Sequence, residues 1–270
     1  MCVEEVRRLL SEVGARVGSD PENGLVESRP LFEEMLRRDL HVSAMNAMLV
    51  RHLSEGARED IFTSGKFLVL ESIGEIELSV IRYSGTSPYI FSSPNSYMQS
   101  SLTAGSFTCD RYRGPGRLSE TIFDPSIQID LISSTRIEDG AIIAKGFDDI
   151  VDFHDFSRAP TAFVRLAQQP KGDYEWAFAR ETLRAHSYCT VRLAESNLCG
   201  LFELLAENAD ERCVPAVSPF CEHPLHFVRW KAIQTIGRHD PMTGLSLTRR
   251  ALDDPHPHVR AAARATLAAQ

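Results

Sequence analysis

The sequence predicts an α+β protein in three consecutive segments: helices over residues 1–58, an antiparallel β barrel over 59–195, and a helical repeat over 196–270. Three observations predict it. Apolar residues recur at helical spacing before residue 58. Short runs rich in Val, Ile, Phe, Tyr and Thr, broken by Gly, Pro, Asn and Asp, fill residues 67–192. Near the end, a segment opening at Pro224 returns at Pro255, an offset of 31 residues. Such a period marks stacked units that cannot bury an apolar face alone.

Val3, Val6, Leu9, Leu10 and Val13 make one helical stripe, expected to end at Gly14 or Gly18. Residues 18–24, Gly-Ser-Asp-Pro-Glu-Asn-Gly, read as a loop. A second helix is expected after Ser28, with Pro30 at its first position, where a missing N–H is harmless, and Leu31, Phe32, Met35 and Leu36 inward. A third covers His41–Leu53 with Met45, Met48 and Leu49 inward, an adaptable Met-rich face that reads as core. The texture changes at Ile61. Ile76, Leu78 and Val80 then alternate with Glu75, Glu77 and Ser79, and Ile127, Ile129 and Leu131 with Gln128 and Asp130. Glu138-Asp139-Gly140 turns into Ala141–Ala144, and Tyr174–Phe178 and Thr182–Leu193 supply two more strands. Roughly eight to ten strands in about 125 residues ask for a sandwich or a closed barrel, because a sheet must remove or hide its edges.

With 270 residues, 43% hydrophobic and 24% charged, the composition is that of a soluble globular protein. A net charge of −8 disfavours nucleic acid as a partner, since that binding runs on phosphate neutralisation. Glu4, Glu5, Arg7 and Arg8 in the first turns do not read as a signal peptide. No apolar run reaches the ~20 residues of a membrane span. The six scattered Cys suit reduced thiols in the cytoplasm.

In the first repeat copy Val228, Ala232 and Ile236 recur at i, i+4 and i+8. Arg229 and Arg260 fall beside the stripe, where a guanidinium reaches carboxylates of the preceding turn. Leu245, Leu247 and Leu252 suit a second helix, which Asp253-Asp254-Pro255 stops. This pattern of an Asp-Pro turn, Val-Arg, then Ala and Leu at helical spacing resembles HEAT repeats. Leu198, Leu201, Leu204 and Leu205 mark a degenerate unit before it. The resemblance implies a docking surface for a protein or peptide partner, with Arg229, Trp230 and Arg260 upon it.

The cadence Arg136-Ile137-Glu138-Asp139-Gly140-Ala141-Ile142, followed by Phe147 through Phe153, resembles the strand–turn–strand of cupins. The resemblance spans residues 60–195 and implies a small barrel whose mouth can hold a small molecule. The family's metal signature, a Gly followed by His-x-His and Glu with a later lone His, is missing; residues 96–113 hold no His.

Asp148, Asp152 and His154 would share one face of a strand. Asp152 and His154, with His186 from a neighbouring strand, would make a two-His, one-carboxylate set suited to Fe(II) and oxygen chemistry; wet edges of an antiparallel sheet are the more ordinary account of the same residues. Cys199, Cys213, Cys221, His223 and His226 are zinc-type ligands, but at irregular spacing and without Cys-x-x-Cys. His239, His256 and His258 fall in repeat turns, as caps or facing solvent. There is no nucleophile elbow and no phosphate loop. Gly114-Pro115-Gly116 reads as a hairpin loop, and residues 92–96 as a surface loop.

Two functions follow. One is an accessory protein that binds a protein or peptide through the repeat, with the β segment as a degenerate ligand-binding or dimerisation unit and no cofactor. The other is a cytoplasmic Fe(II)-dependent oxygenase or tailoring enzyme, acting on a small molecule or a carrier-bound substrate through Asp152, His154 and His186.

Overall fold

A computed structural model describes the chain apart from residues 1, 56–66, 117, 120, 121, 192 and 270, and apart from the side chains of residues 2, 51–53, 55 and 193. The expected change of texture at Ile61 and the end of the β run at Arg192 lie outside the described residues. The chain divides into two compact units: Met1–Leu118 with Asp124–Cys189, and Ser119–Phe123 with Thr190–Gln270.

The first unit opens with α1 (Cys2–Ser19), a single turn α2 (Gly24–Glu27), α3 (Arg29–Arg37) and α4 (Leu40–Glu55). α1 runs straight through Gly14. Val6, Leu10, Val13 and Val17 are all buried, and their burial outweighs the ~1 kcal/mol that a mid-helix glycine costs. The expected loop narrows to a turn over residues 20–23, and α2 follows it where no element is expected. Gly24 lies so close to α1 that a Cβ there would come within 2.6 Å of the Arg16 carbonyl oxygen.

Eleven strands follow among the described residues: β1 (Phe67–Ile73), β2 (Ile76–Tyr83), β3 (Tyr89–Phe91), β4 (Tyr97–Ser101), β5 (Phe107–Arg113), β6 (Asp130–Ile137), β7 (Ile142–Lys145), β8 (Ile150–His154), β9 (Thr161–Gln168), β10 (Tyr174–Ala179) and β11 (Ala185–Thr190). They make three sheets, in the orders β1-β2-β9-β4-β7, β6-β5-β8 and β11-β10-β3. The first two are antiparallel throughout. The expected single closed barrel does not form among the described residues. The turn through Gly140 (φ 77°) leads from β6 in one sheet to β7 in another. It is a corner between sheets rather than a hairpin.

The five-stranded sheet is covered on both faces. Leu78, Met98, Val164 and Leu166 pack with Val6, Leu10, Phe32 and Met35 of the helices. Tyr97, Phe163 and Ala167, of opposite parity, pack with Phe107, Cys109, Val151 and Phe153 of the β6-β5-β8 sheet. The helices α1–α4 therefore share a core with the sheet instead of forming a separate segment.

The second unit contains α5 (Leu193–Asn208), a short α6 (Val214–Val217) between two 3-10 turns, α7 (His226–His239), α8 (Pro241–Arg250), a 3-10 turn, and α9 (Pro257–Ala268). Val228, Ala232 and Ile236 are wholly buried, as is Ala263. Hydrogen bonds repeat with the sequence. His223 Nδ1 accepts the Leu225 amide as Asp254 Oδ1 accepts the His256 amide. Arg229 Nη1 donates to the carbonyls of His223 and Pro224 at 2.8 and 3.0 Å; Arg260 Nη1 donates to those of Asp254 and Pro255 at 2.7 and 2.9 Å. Each position in the second set lies 31 residues after its counterpart. α7 and α8 touch backbone to backbone, since a Cβ on Gly244 would fall 2.2 Å from Gly237 Cα.

Candidate functional site

Strand parity fixes which side chains share a space. On β8, Val151 and Phe153 face the five-stranded sheet, so Asp152 and His154 project from the opposite face. They share that face as expected, and a residue from β5 joins them. Asp110 stands directly opposite Asp152 in the β5–β8 ladder. His154 Nε2 lies 2.9 Å from Asp110 Oδ2, and its Nδ1 lies 3.0 Å from Asp155 Oδ2. Tyr112 donates to Asp110 at 3.1 Å, and Arg180 Nη2 sits 2.7 Å from Asp152 Oδ2.

The two facing carboxyls are pushed in opposite directions. Burial raises Asp152, and Arg180 only partly reverses it. Burial would raise Asp110 as well, but hydrogen bonds from Ser134, His154 and Tyr112 outweigh it and hold the carboxyl below the usual range.

His186 does not join this group. It is exposed on β11, in another sheet, and stacks on Tyr89 at 4.8 Å. Asp152, His154 and His186 do not fit Fe(II): the carboxylate is held by Arg180, both imidazole nitrogens of His154 face carboxylates, and the third ligand points elsewhere. Asp148 falls in the turn before β8, outside the strand.

A second polar group lies between the two packed sheets. Ser79, Arg165 and Gln99 are neighbours across β2, β9 and β4 and form one row over the sheet. Ser79 and Gln99 are wholly buried, and Arg165 is half-buried. Arg165 donates from Nε and Nη2 to Gln99 Oε1 at 3.0 and 2.7 Å, and from Nη2 to the Tyr83 hydroxyl oxygen at 2.8 Å. Its guanidinium lies 4.1 Å from the centre of the Tyr97 ring. These partners are all neutral. Glu77 lies close enough to feel the arginine's charge, and burial pushes its carboxyl above the usual range. Of the two ends of the Gln99 amide only the oxygen can accept from a guanidinium, so Nε2 points away. That nitrogen is buried without a hydrogen-bond partner among the described residues. Nearby Lys145 gives its protons to the carbonyls of Ser93, Asn95 and Gly146. Burial pushes it down to about 8, and Arg165 adds to the fall. The row was missed in the sequence, although Arg165 is a conspicuous charge among Phe163, Val164, Leu166 and Ala167.

In the helical unit Arg229 is not on the surface. It is 9% exposed and grips Asp254 with two bonds of 2.7 and 2.9 Å. Trp230 is half-buried against the cluster of Ile233, Ala251, Val259 and Ala263, and Arg260 is held by its own turn. Cys199 and Cys221 pack as apolar side chains, and burial raises both thiols, Cys221 to about 11. Among the described residues the group of three side chains at metal-ligand spacing is instead His226, His256 and His258.

No family model matches the chain, and no curated protein matches it. Among solved structures it is similar to a hydroquinone 1,2-dioxygenase in complex with Cd2+ and 4-hydroxybenzonitrile, at a TM-score of 0.30 and 11% identity, covering 38% of this chain and 63% of that one. A second is the hydroquinone 1,2-dioxygenase from Sphingomonas sp. TTNP3 with 4-hydroxybenzoate bound (TM-score 0.29, 14% identity, 38% and 65% covered). A third is a cupin protein from Bacteroides fragilis (0.23, 13%, 36% and 68%). The chain spans under two thirds of the first two structures, and likeness at these TM-scores carries no argument about its chemistry.

Proposed function

We propose that the first unit binds a small carboxylate between its two packed sheets, at Arg165. The observation that carries this is a guanidinium in the inter-sheet space whose hydrogen-bond partners are all neutral, beside a buried Gln99 amide N–H without a partner. A buried charge ordinarily has an opposite charge beside it. Arginine's planar fork matches a carboxylate, and the Tyr83 hydroxyl beside it adds a donor to the same ligand. The half-exposure of Arg165 leaves it within reach of solvent.

A thermal-shift panel of small carboxylates, each paired with its neutral amide, tests the reading. A carboxylate at about 100 times its Kd adds about 2.7 kcal/mol to the folded state and raises the melting temperature. Its amide does not. Arg165→Met abolishes the shift. No stabilising carboxylate, or a shift that survives Arg165→Met, overturns the reading.

A second reading makes the unit an enzyme acting on a small molecule. It rests on Asp110 and Asp152, facing carboxyls shifted apart, which is the signature of an acid and base pair. Following the same panel for chemical conversion tests it. Turnover should fall by about 10²–10⁴-fold in Asp152→Asn; turnover unchanged in that variant sinks it.

A further inference from the structure

We infer that His226, His256 and His258 form a site for a divalent late first-row transition ion such as Zn2+, with one coordination position left to water. The 31-residue repeat builds the site. His226 is the first residue of α7; His256 caps α9 and His258 is the second residue of that helix. Packing the two helix starts side by side brings the three rings together. One ligand atom from each lies within 4.8 Å of the others. The rings of His226 and His256 stack at 3.5 Å with 6° between planes, and His258 stands edge-on to His256 at 4.9 Å.

Imidazole suits zinc, copper, nickel and iron. With metal–nitrogen bonds of about 2.0–2.1 Å, tetrahedral ligands sit about 3.4 Å apart. The present spacing needs a closure of little more than 1 Å, and the stacked His226 and His256 rings must turn so that their in-plane lone pairs converge, both by side-chain rotation. Three protein ligands leave a fourth position open, and the half-buried His256 and His258 let water reach it.

Two amide bonds mark the nitrogens with lone pairs. His256 Nδ1 accepts the His258 amide at 3.2 Å, and His258 Nε2 accepts the Phe123 amide at 3.2 Å. A nitrogen that accepts a hydrogen bond carries no proton, so it is the one that can bind a cation. Metal capture through those nitrogens therefore displaces both amides, each bond contributing about 1 kcal/mol. The site is independent of the carboxylate reading, since it lies in the other unit.

The test uses the full chain, stripped with chelator and titrated with Zn2+ by calorimetry at pH 7.5. One ion per chain is expected, together with the visible absorption of four-coordinate Co2+ in a parallel titration. His226→Gln and His258→Gln each weaken binding by at least about 100-fold, whereas His186→Gln, on the exposed strand of the other unit, leaves it unchanged. Nitrogen-15 spectra of the unaltered chain serve if a variant does not fold: Zn2+ should move the ring nitrogens of all three histidines and the Phe123 amide. Substoichiometric binding, affinity indifferent to the His226 and His258 substitutions, or unmoved ring nitrogens would overturn the inference.

Discussion

Arg165 is the charged residue of β9, set among buried Phe163, Val164, Leu166 and Ala167. A guanidinium surrounded by neutral acceptors is desolvated without an ion pair in return, and an apolar residue of similar volume is tolerated in its place or preferred. Arg165→Met should therefore leave the ligand-free protein within about 1 kcal/mol of its original stability, or raise it. Urea denaturation without added carboxylate checks this; a loss of 3 kcal/mol would make the arginine a structural residue. The charge itself was visible in the sequence. Its neighbours Ser79 and Gln99 were not, because strand register joins residues far apart in the chain. The same limit applies to Asp152 and His154. Period two placed them correctly on one face, but Asp110, their partner across the ladder, carries no local signal.

Among the elements, the repeat was the most legible. Its offset predicted two helix starts, and both exist, with Val228, Ala232 and Ile236 buried in the first helix and Val259 and Ala263 in the second. The role of Arg229 was not legible. Both arginines hold the turn before their own helix, but only Arg229 also reaches the carboxylate that opens the following copy. Arg229→Ala leaves Asp254 buried without its cation and should cost about 3–5 kcal/mol. Arg260→Ala removes turn bonds only, and should cost about 1–2 kcal/mol. Denaturation followed by helical circular dichroism separates the two. Gly244→Ala pits a helix-propensity gain of about 1 kcal/mol against a clash with backbone that cannot rotate away. Net destabilisation of about 1–3 kcal/mol is expected from the forced separation of α7 and α8, read as a lower thermal midpoint.

At the scale of the molecule, strand content was readable and its closure was not. Alternation says that a strand has two faces, not which strand it will pair with, so one barrel and three sheets look alike in sequence. The grouping of the N-terminal helices with the sheet was hidden for the same reason. Each unit has its own core, and in the helical unit acid should act through His226. His226 falls from 6.5 unfolded to about 4 folded, burial being the main cause. Between those values the unfolded chain binds a proton that the folded unit refuses, so this contribution is complete above pH 6.5 and disappears as pH falls toward 4. The helical unit should melt on the order of 5 °C lower at pH 4.5 than at pH 6.5. His226→Gln should remove that difference in calorimetric scans; an unchanged difference would place the acid sensitivity elsewhere.

The five-stranded sheet packs against other elements on both faces. Slipping β9 by a single residue would exchange its faces, driving the guanidinium of Arg165 in among the methionines and leucines below α1–α4 and turning Val164 and Leu166 toward Gln99. Misregistered chains are thus rejected by chemistry on both sides at once. The arginine that weakens the finished sheet also proofreads its assembly.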